Sequence, residues 1–269
     1  MKYLNGSRIS IIMPAYNEED RIVSSLEETM RTFDNFKLNY EVIVVDDGST
    51  DATYKIAKEF ACKVNNDRII VQRNRSNYGK GRALRKGFRF SKGDYIIFLD
   101  ADMDLHPGQI DTFFDIMRLT ESDIVIGSKR HPNSQLFYPA ERRLMSSVYF
   151  FLVKMLFGLP INDTQTGLKL FKRSVLQQVF CEYISREFAF DLELLVNAHR
   201  LGYKIAEAPV CIQSQRDYSR IGVGTVYKMC LDTLAIYFRY VRNRVKRVAL
   251  SFRRKKTVAC SNERYRYGV

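Results

Sequence analysis

The chain has no Cys-x-x-Cys pair; its five cysteines, Cys62, Cys181, Cys211, Cys230 and Cys260, are scattered. That spacing argues against a zinc site or a disulfide framework and suits a reducing compartment. No apolar run reaches the roughly 18 to 20 residues that a bilayer span requires. The opening residues Met1–Ser10 are too polar for a secretory signal. Cofactor fingerprints are missing as well. Gly79-x-Gly81 fails the dinucleotide pattern, because Leu84 stands where a third small residue belongs and the first strand lies far upstream. There is no Walker A motif, so hydride transfer and P-loop hydrolysis are disfavoured. His106, His131 and His199 show no ligand spacing and read as structural. Neither an internal repeat nor a Pro- or Gly/Ser-rich linker divides the chain.

What is present is positive charge. Lys and Arg total 43 against 30 Asp and Glu, a formal net charge of +13. Such a balance calls for an anionic partner: nucleic acid, a phosphorylated substrate or an anionic membrane. A hydrophobic share of 46% with 13% aromatics argues against disorder. At 269 residues the chain is long enough to bury a large core.

Apolar runs predict strands at Ile9–Met13, Tyr40–Val45, Ile69–Gln72, Tyr95–Leu99 and Asp123–Ile126. Helical patterns fill the gaps: Asp20–Phe33, Ala52–Phe60 (capped by Ser49 or Thr50), the basic Tyr78–Phe90, and Pro107–Met117. Strand alternating with helix implies a parallel α/β sheet, whose ligands lie beyond the carboxyl ends of the strands. Further on, a strand is expected at Leu168–Phe171, a helix at Phe188–Arg200 and two short strands within Tyr203–Ile212.

The stretch after the fourth strand carries the strongest chemical signal. Asp100, Asp102 and Asp104 occupy alternate positions. In an extended segment alternate side chains point the same way, so the three could gather oxygens at the sheet edge. Such a cluster needs neutralising, and hard oxygen donors suit Mg²⁺ or Mn²⁺ bridging to substrate phosphates. The plainer alternative is an acidic turn capping the helix that begins near Pro107.

Pro14-Ala15-Tyr16-Asn17-Glu18 follows strand one, Asp46-Asp47-Gly48-Ser49 follows strand two, and Asn77-Tyr78-Gly79-Lys80-Gly81-x-Ala83 opens the third helix. Together with the acidic triplet, in this order, the set closely resembles family 2 glycosyltransferases of the GT-A fold, over about residues 8 to 240. The resemblance implies a Rossmann-like, mostly parallel α/β sheet flanked by helices, with a nucleotide-sugar lying across these loops. Pro14, Tyr16 and Glu18 would hold the nucleoside, with Asp46 on the base or ribose and Asp47 nearby. For Glu18 and Asp47 a helix-capping role stays open. Asp100-Ala101-Asp102 would be the Asp-x-Asp element, contacting ribose and the metal diphosphate. Asp104 stands where the family often has Gln and would add a ligand. Lys80 could approach the diphosphate.

Thr164-Gln165-Thr166-Gly167-x-Lys169-x-Phe171 and Phe190-Asp191-x-Glu193-Leu194-Leu195 resemble the polyprenyl-phosphate branch, the dolichyl-phosphate glucosyl- and mannosyltransferases, the glucosyl type more closely. The branch implies Arg130, Arg142 and Ser146 at the acceptor phosphate, with Arg216 and Arg220 as looser counterparts of a basic loop. Asp191 would orient sugar hydroxyls or an arginine; a buried structural carboxylate is the alternative. The implied donor is UDP-glucose, then GDP-mannose, and the implied acceptor is dolichyl or polyprenyl phosphate. Direct displacement would invert the anomeric centre. Members often carry transmembrane helices, which this chain is expected to lack.

Membrane contact is expected instead from an aromatic-rich insertion at residues 136–160 and from an amphipathic helix with a basic tail at residues 225–269, the catalytic domain being 1–224. Apolar faces beside clustered Arg and Lys suit helices lying in an anionic interface. The expected place is therefore the cytoplasmic face of a membrane, peripherally bound. Rival readings are a family 2 enzyme with a glycan acceptor, a nucleotide-sugar sensor without turnover, and a basic nucleic-acid-binding protein. The last lacks any nucleic-acid motif, so no nucleic-acid partner is expected.

Overall fold

A computed structural model describes residues 4, 6–64, 67–135, 150–181, 190–212 and 231–242. The chain divides into two units, residues 1–220 and 221–269.

The first unit is built on one seven-stranded sheet, in the order β3-β2-β1-β4-β6-β5-β7. The strands are β1 (Arg8–Ala15), β2 (Asn39–Asp46), β3 (Ile69–Arg73), β4 (Tyr95–Phe98), β5 (Ile124–Ser128), β6 (Lys169–Lys172) and β7 (Ile205–Pro209). β1 lies inside the sheet, and its residues are apolar on both faces: Ile9, Ile11, Ile12 and Met13 are all fully buried. It pairs in parallel with β2 on one side and β4 on the other.

The helices are α1 (Ile22–Asn35), α2 (Thr53–Val64), α3 (Lys80–Phe90), α4 (Ile110–Thr120), α5 (150–157), α6 (Arg173–Val179) and α7 (Phe190–Arg200). α1 shows how they attach: Ile22, Leu26 and Phe33 recur on one face and are buried. A short 3₁₀ turn, Pro107–Gln109, precedes α4.

The sheet is mostly parallel, as the resemblance implies, with β6 running antiparallel to both β4 and β5. Two local expectations change. The cap before α2 is not Ser49 or Thr50. Asp51 accepts from the Thr53 N–H at 3.0 Å, and Glu19, from the loop after β1, accepts from the Ala52 N–H at 2.8 Å. Helix α6 went unread. The pair of strands expected in 203–212 is β7 followed by isolated bridges from Cys211 to Gln135 and from Ile212 to Leu105.

The strand order reverses between β1 and β4: the chain builds outward through β2 and β3, then returns to the other side of β1. A crevice at such a switch point is where open α/β sheets bind ligands. In the second unit, α8 (231–242) carries Leu231, Leu234, Phe238 and Val241 exposed along one stripe. Among the described residues, no helix is long and apolar enough to cross a membrane.

Candidate active site

Two loops flank the switch point. After β1 the chain turns at Asn17, whose φ is 54°. Its backbone N–H donates to Ser49 Oγ (3.0 Å) and its side-chain oxygen accepts from the Thr50 N–H (2.9 Å). The Glu18 N–H donates to Thr53 Oγ1 at 2.8 Å. These bonds tie the first loop to the second and leave the Tyr16 ring exposed above it.

Asp46 and Asp47 are buried braces. Asp46 Oδ1 accepts from the Ser49 N–H (3.1 Å), and Oδ2 lies 3.0 Å from Arg73 Nε. Asp47 Oδ1 accepts from Asn74 Nδ2 (2.7 Å) and from the Tyr78 N–H (3.2 Å). Asp47 therefore holds the 74–78 loop rather than capping a helix. That loop leads into α3, whose first residue is Lys80.

Lys80 points across the crevice at the acidic stretch. Its Nζ lies 2.5 Å from Asp100 Oδ1 and 2.7 Å from Oδ2. Burial alone would lower the lysine's pKa, but Asp100, with Asp191 and Asp102 adding their charge, holds it above the ordinary lysine value. Burial likewise would raise the Asp100 pKa. Lys80, then Lys169 and Lys129, bring it below the usual carboxylate value. Both members of the pair stay charged at neutral pH.

The three aspartates do not form one cluster. Extended geometry stops after β4: Ala101 and Asp102 form a turn and Met103 has a left-handed φ of 60°. With the alternation broken, Asp100 faces Lys80 while Asp102 Oδ1 accepts from the Asp104 N–H at 3.2 Å. Among the described residues, no three His, Cys, Asp or Glu side chains are grouped to hold a metal ion. Asp102 and Asp104 remain as partly exposed carboxylates beside the crevice. Two hard oxygen donors open to solvent fit Mg²⁺ or Mn²⁺, which takes one or two protein carboxylates and completes its shell with water and phosphate. Ala101 faces the interior; its carbonyl accepts from Ser25 Oγ at 2.6 Å. His106 closes the loop, bonding Glu28 of α1 through Nε2 (2.7 Å) while Nδ1 accepts from the Gly108 N–H (3.0 Å).

On the far side, residues 162–167 are stapled to the sheet. Glu207 of β7 accepts from the Asn162 N–H (2.7 Å), Asn162 Nδ2 (2.7 Å) and the Asp163 N–H (3.0 Å). Asp163 in turn accepts from the Lys129 N–H at 3.0 Å. This staple presses Gly167 onto Asp100, where a Cβ would sit 2.2 Å from Asp100 Oδ2. Behind it, Lys169 Nζ donates to Asp191 Oδ1 (2.9 Å) and to the Thr166 carbonyl. Asp191 thus has a lysine partner, not the arginine expected.

Arg130 lies over the Phe150 ring of α5, with its guanidinium carbon 4.9 Å from the centroid. Lys154 Nζ is 5.5 Å from the same ring. Phe151 (68% exposed) and Met155 (78%) stand on the surface of α5. Arg142, Ser146, Arg216 and Arg220 lie outside the described residues. Sequence reasoning passed over Lys169 and Lys129 as site residues. Lys169 stood in a quoted motif, and a lysine between the apolar Leu168 and Leu170 was the available signal.

The family model for "Glycosyl transferase family 2" matches residues 10–180, a span that contains both flanking loops and the acidic stretch. The chain belongs to glycosyl transferase family 2. Among relatives of this family, the dolichyl-phosphate beta-glucosyltransferase of Dictyostelium discoideum is 32% identical over 247 residues, covering 87% of this chain and 75% of that protein. The dolichyl-phosphate beta-glucosyltransferase ALG5A of Trichomonas vaginalis is 32% identical over 85% of this chain and 72% of its own length. The glycosyltransferase AglD of Haloferax volcanii is 30% identical over 76% of this chain but only 33% of that protein. Among solved structures, glucosyl-3-phosphoglycerate synthase of Mycobacterium tuberculosis, crystallised with Mn²⁺, UDP-glucose and phosphoglyceric acid, superposes with a TM-score of 0.66 at 20% identity. That match covers 88% of this chain and 81% of the other. The family 2 chain is therefore a glycosyltransferase, and its sheet is of the GT-A type.

Proposed function

We propose that this glycosyltransferase moves glucose from UDP-glucose to dolichyl or another polyprenyl phosphate at a membrane surface. The observation that carries the reading is the pairing of Lys80 with Asp100 at the switch point of a chain 32% identical, over 87% of its length, to a dolichyl-phosphate beta-glucosyltransferase.

Tyr16 is free to flank the base, and Glu18 lies beside it to accept hydroxyl or N–H donors. Lys80, already charged, faces the place of the diphosphate and can exchange Asp100 for phosphate oxygens. Asp102 and Asp104 would hold Mg²⁺ or Mn²⁺, which when bound supplies Lewis-acid neutralisation of the departing nucleoside diphosphate. A phosphate acceptor is an anion at neutral pH, so no strong general base is required. The problem is to bring two anions together. Arg130 would grip and aim the acceptor phosphate through its guanidinium fork, and Arg142 and Ser146 are proposed beside it. Direct attack on the anomeric carbon gives inversion.

The lipid acceptor also agrees with α5, where exposed Phe151 and Met155 sit one turn apart on the helix that carries Lys154. Apolar side chains beside cations suit the interface of an anionic leaflet. The stripe on α8 would add a second apolar contact.

The test is transfer from labelled UDP-glucose to polyprenyl phosphate with Mg²⁺ or Mn²⁺, alongside GDP-mannose and a water-soluble phosphate acceptor. The expected product is organic-soluble, labile to mild acid and formed from UDP-glucose. Label that enters only a water-soluble product would replace the lipid reading with another family 2 acceptor. Release of no sugar in a single turnover would leave a sensor rather than an enzyme.

A further inference from the structure

Among the described residues, Lys169 is the one buried lysine or arginine, at 1% exposure, opening β6 between the fully buried Leu168 and Leu170. A buried ion pair is weak evidence for stability, since apolar residues of similar volume often serve as well. Its presence here calls for another reason, and the neighbours supply one. Lys169 Nζ is held by Asp191 Oδ1 at 2.9 Å and by the carbonyl of Thr166. The next residue is Gly167, whose Cα side is packed on the Asp100 carboxylate so closely that no side chain fits between them. On the other side of that carboxylate stands Lys80, 2.5 Å away. The order from the interior to the crevice is Asp191, Lys169, the 166–167 turn, Asp100, Lys80.

We propose that Lys169 is a positioning residue for sugar transfer: its ammonium clamps the 166–167 turn onto Asp100 and so fixes the Lys80–Asp100 pair that meets the diphosphate. The ammonium has three donors in all. One neutralises Asp191 and another fastens a backbone carbonyl, so loss of the lysine both strands a buried carboxylate and loosens the turn. The proposal rests on the nucleotide-sugar reading of the crevice.

Four proteins separate the two effects: wild type, D191N, K169M and K169M/D191N. Each is measured for thermal stability, for UDP affinity by calorimetry with Mn²⁺, for KM and kcat with UDP-glucose, and for amide exchange at Gly167 and Ala101. K169M alone should melt well below wild type, because Asp191 is left buried and unpaired. The double variant removes both charges and should recover most of that loss. It should nevertheless bind UDP about tenfold more weakly than D191N, the scale of one lost charge-assisted hydrogen bond. KM should rise more than kcat falls, and Gly167 and Ala101 should exchange faster. A double variant that matches D191N in UDP affinity, KM and exchange would overturn the positioning role and leave a purely structural pair. Wild-type protein that binds UDP neither alone nor as UDP-glucose would overturn the functional reading and this one together.

Discussion

Gly167 and Gly48 both lack room for a methyl group, but for different reasons. At Gly167 the obstacle is Asp100 Oδ2, the end of a side chain, 2.2 Å from the added Cβ. Only that carboxylate has to move, and moving it disturbs its pairing with Lys80. G167A should therefore fold with little change in Tm and lose about tenfold or more in kcat/KM for the nucleotide-sugar, near the cost of one misplaced charged contact. At Gly48 the obstacle is backbone: the Cβ would lie 2.3 Å from the Ser76 carbonyl carbon, and φ is already +74°. G48A should lower stability by at least about 1–3 kcal/mol through strain, read as a shift in the urea midpoint. The Lys80–Asp100 pair adds a pH signature. Asp100 titrates below its ordinary 3.8 in the folded protein. A carboxylate with a depressed folded pKa stabilises the native state above its unfolded pKa, and that contribution disappears as pH falls through the folded value. Wild type should show it undiminished from pH 5 to 8 and lose it in acid below about pH 4. In K80M, where the depression is relieved, the acid loss in Tm should be smaller.

At the scale of elements, the staple between β7 and the 162–163 turn decides how well the far wall of the site is held. Glu207 is its single anchor, accepting three hydrogen bonds from Asn162 and Asp163. E207A should cost about 1–3 kcal/mol and speed amide exchange at Asn162 and Asp163, while E207Q, which keeps one carbonyl oxygen, should cost less. Nothing in the sequence singled out Glu207, because its partners lie more than forty positions upstream. The strands were legible for the opposite reason: β1, β2 and β4 are local apolar runs, and their pattern needs no knowledge of partners. The direction of β6 was not. Lys169–Lys172 reads the same whichever way it pairs, and its neighbours β4 and β5 are fixed by topology, not by its own residues. The acidic stretch was half legible. Its residue types pointed to the site, but their shared direction assumed an extended backbone that ends at the 101–102 turn and the left-handed Met103. Lys169 stayed unread as a site residue because a buried lysine is meaningful only once Asp191 and Thr166 are seen to converge on it.

Across the first unit as a whole, the two ends of the sheet carry separate tasks. The carboxyl ends hold the loops that build the crevice; the amino ends of β1 and β2 hold a buried carboxylate that has no part in it. Glu41, 1% exposed, accepts from Arg8 Nη2 at 2.7 Å, Ser10 Oγ at 2.6 Å and the Lys92 N–H at 2.5 Å. One side chain thus joins β1, β2 and the turn that enters β4. The Ser10 hydroxyl passes the connection on by accepting from the Gly93 N–H at 2.7 Å. Removing the carboxylate leaves the partly exposed Arg8 without its partner and the Ser10 hydroxyl and Lys92 N–H without their acceptor, a loss of about 1–3 kcal/mol. E41A should therefore show a large fall in urea midpoint. Under conditions where E41A is still folded, its KM for UDP-glucose should match wild type, because residues 11–15 of β1 lie between Ser10, the nearer of Glu41's partners on that strand, and Tyr16. G167A is expected to do the reverse, sparing stability and damaging turnover. If E41A raised KM as much as G167A does, the two ends of the sheet would be coupled through β1 and the crevice would not be the self-contained unit its hydrogen bonds describe.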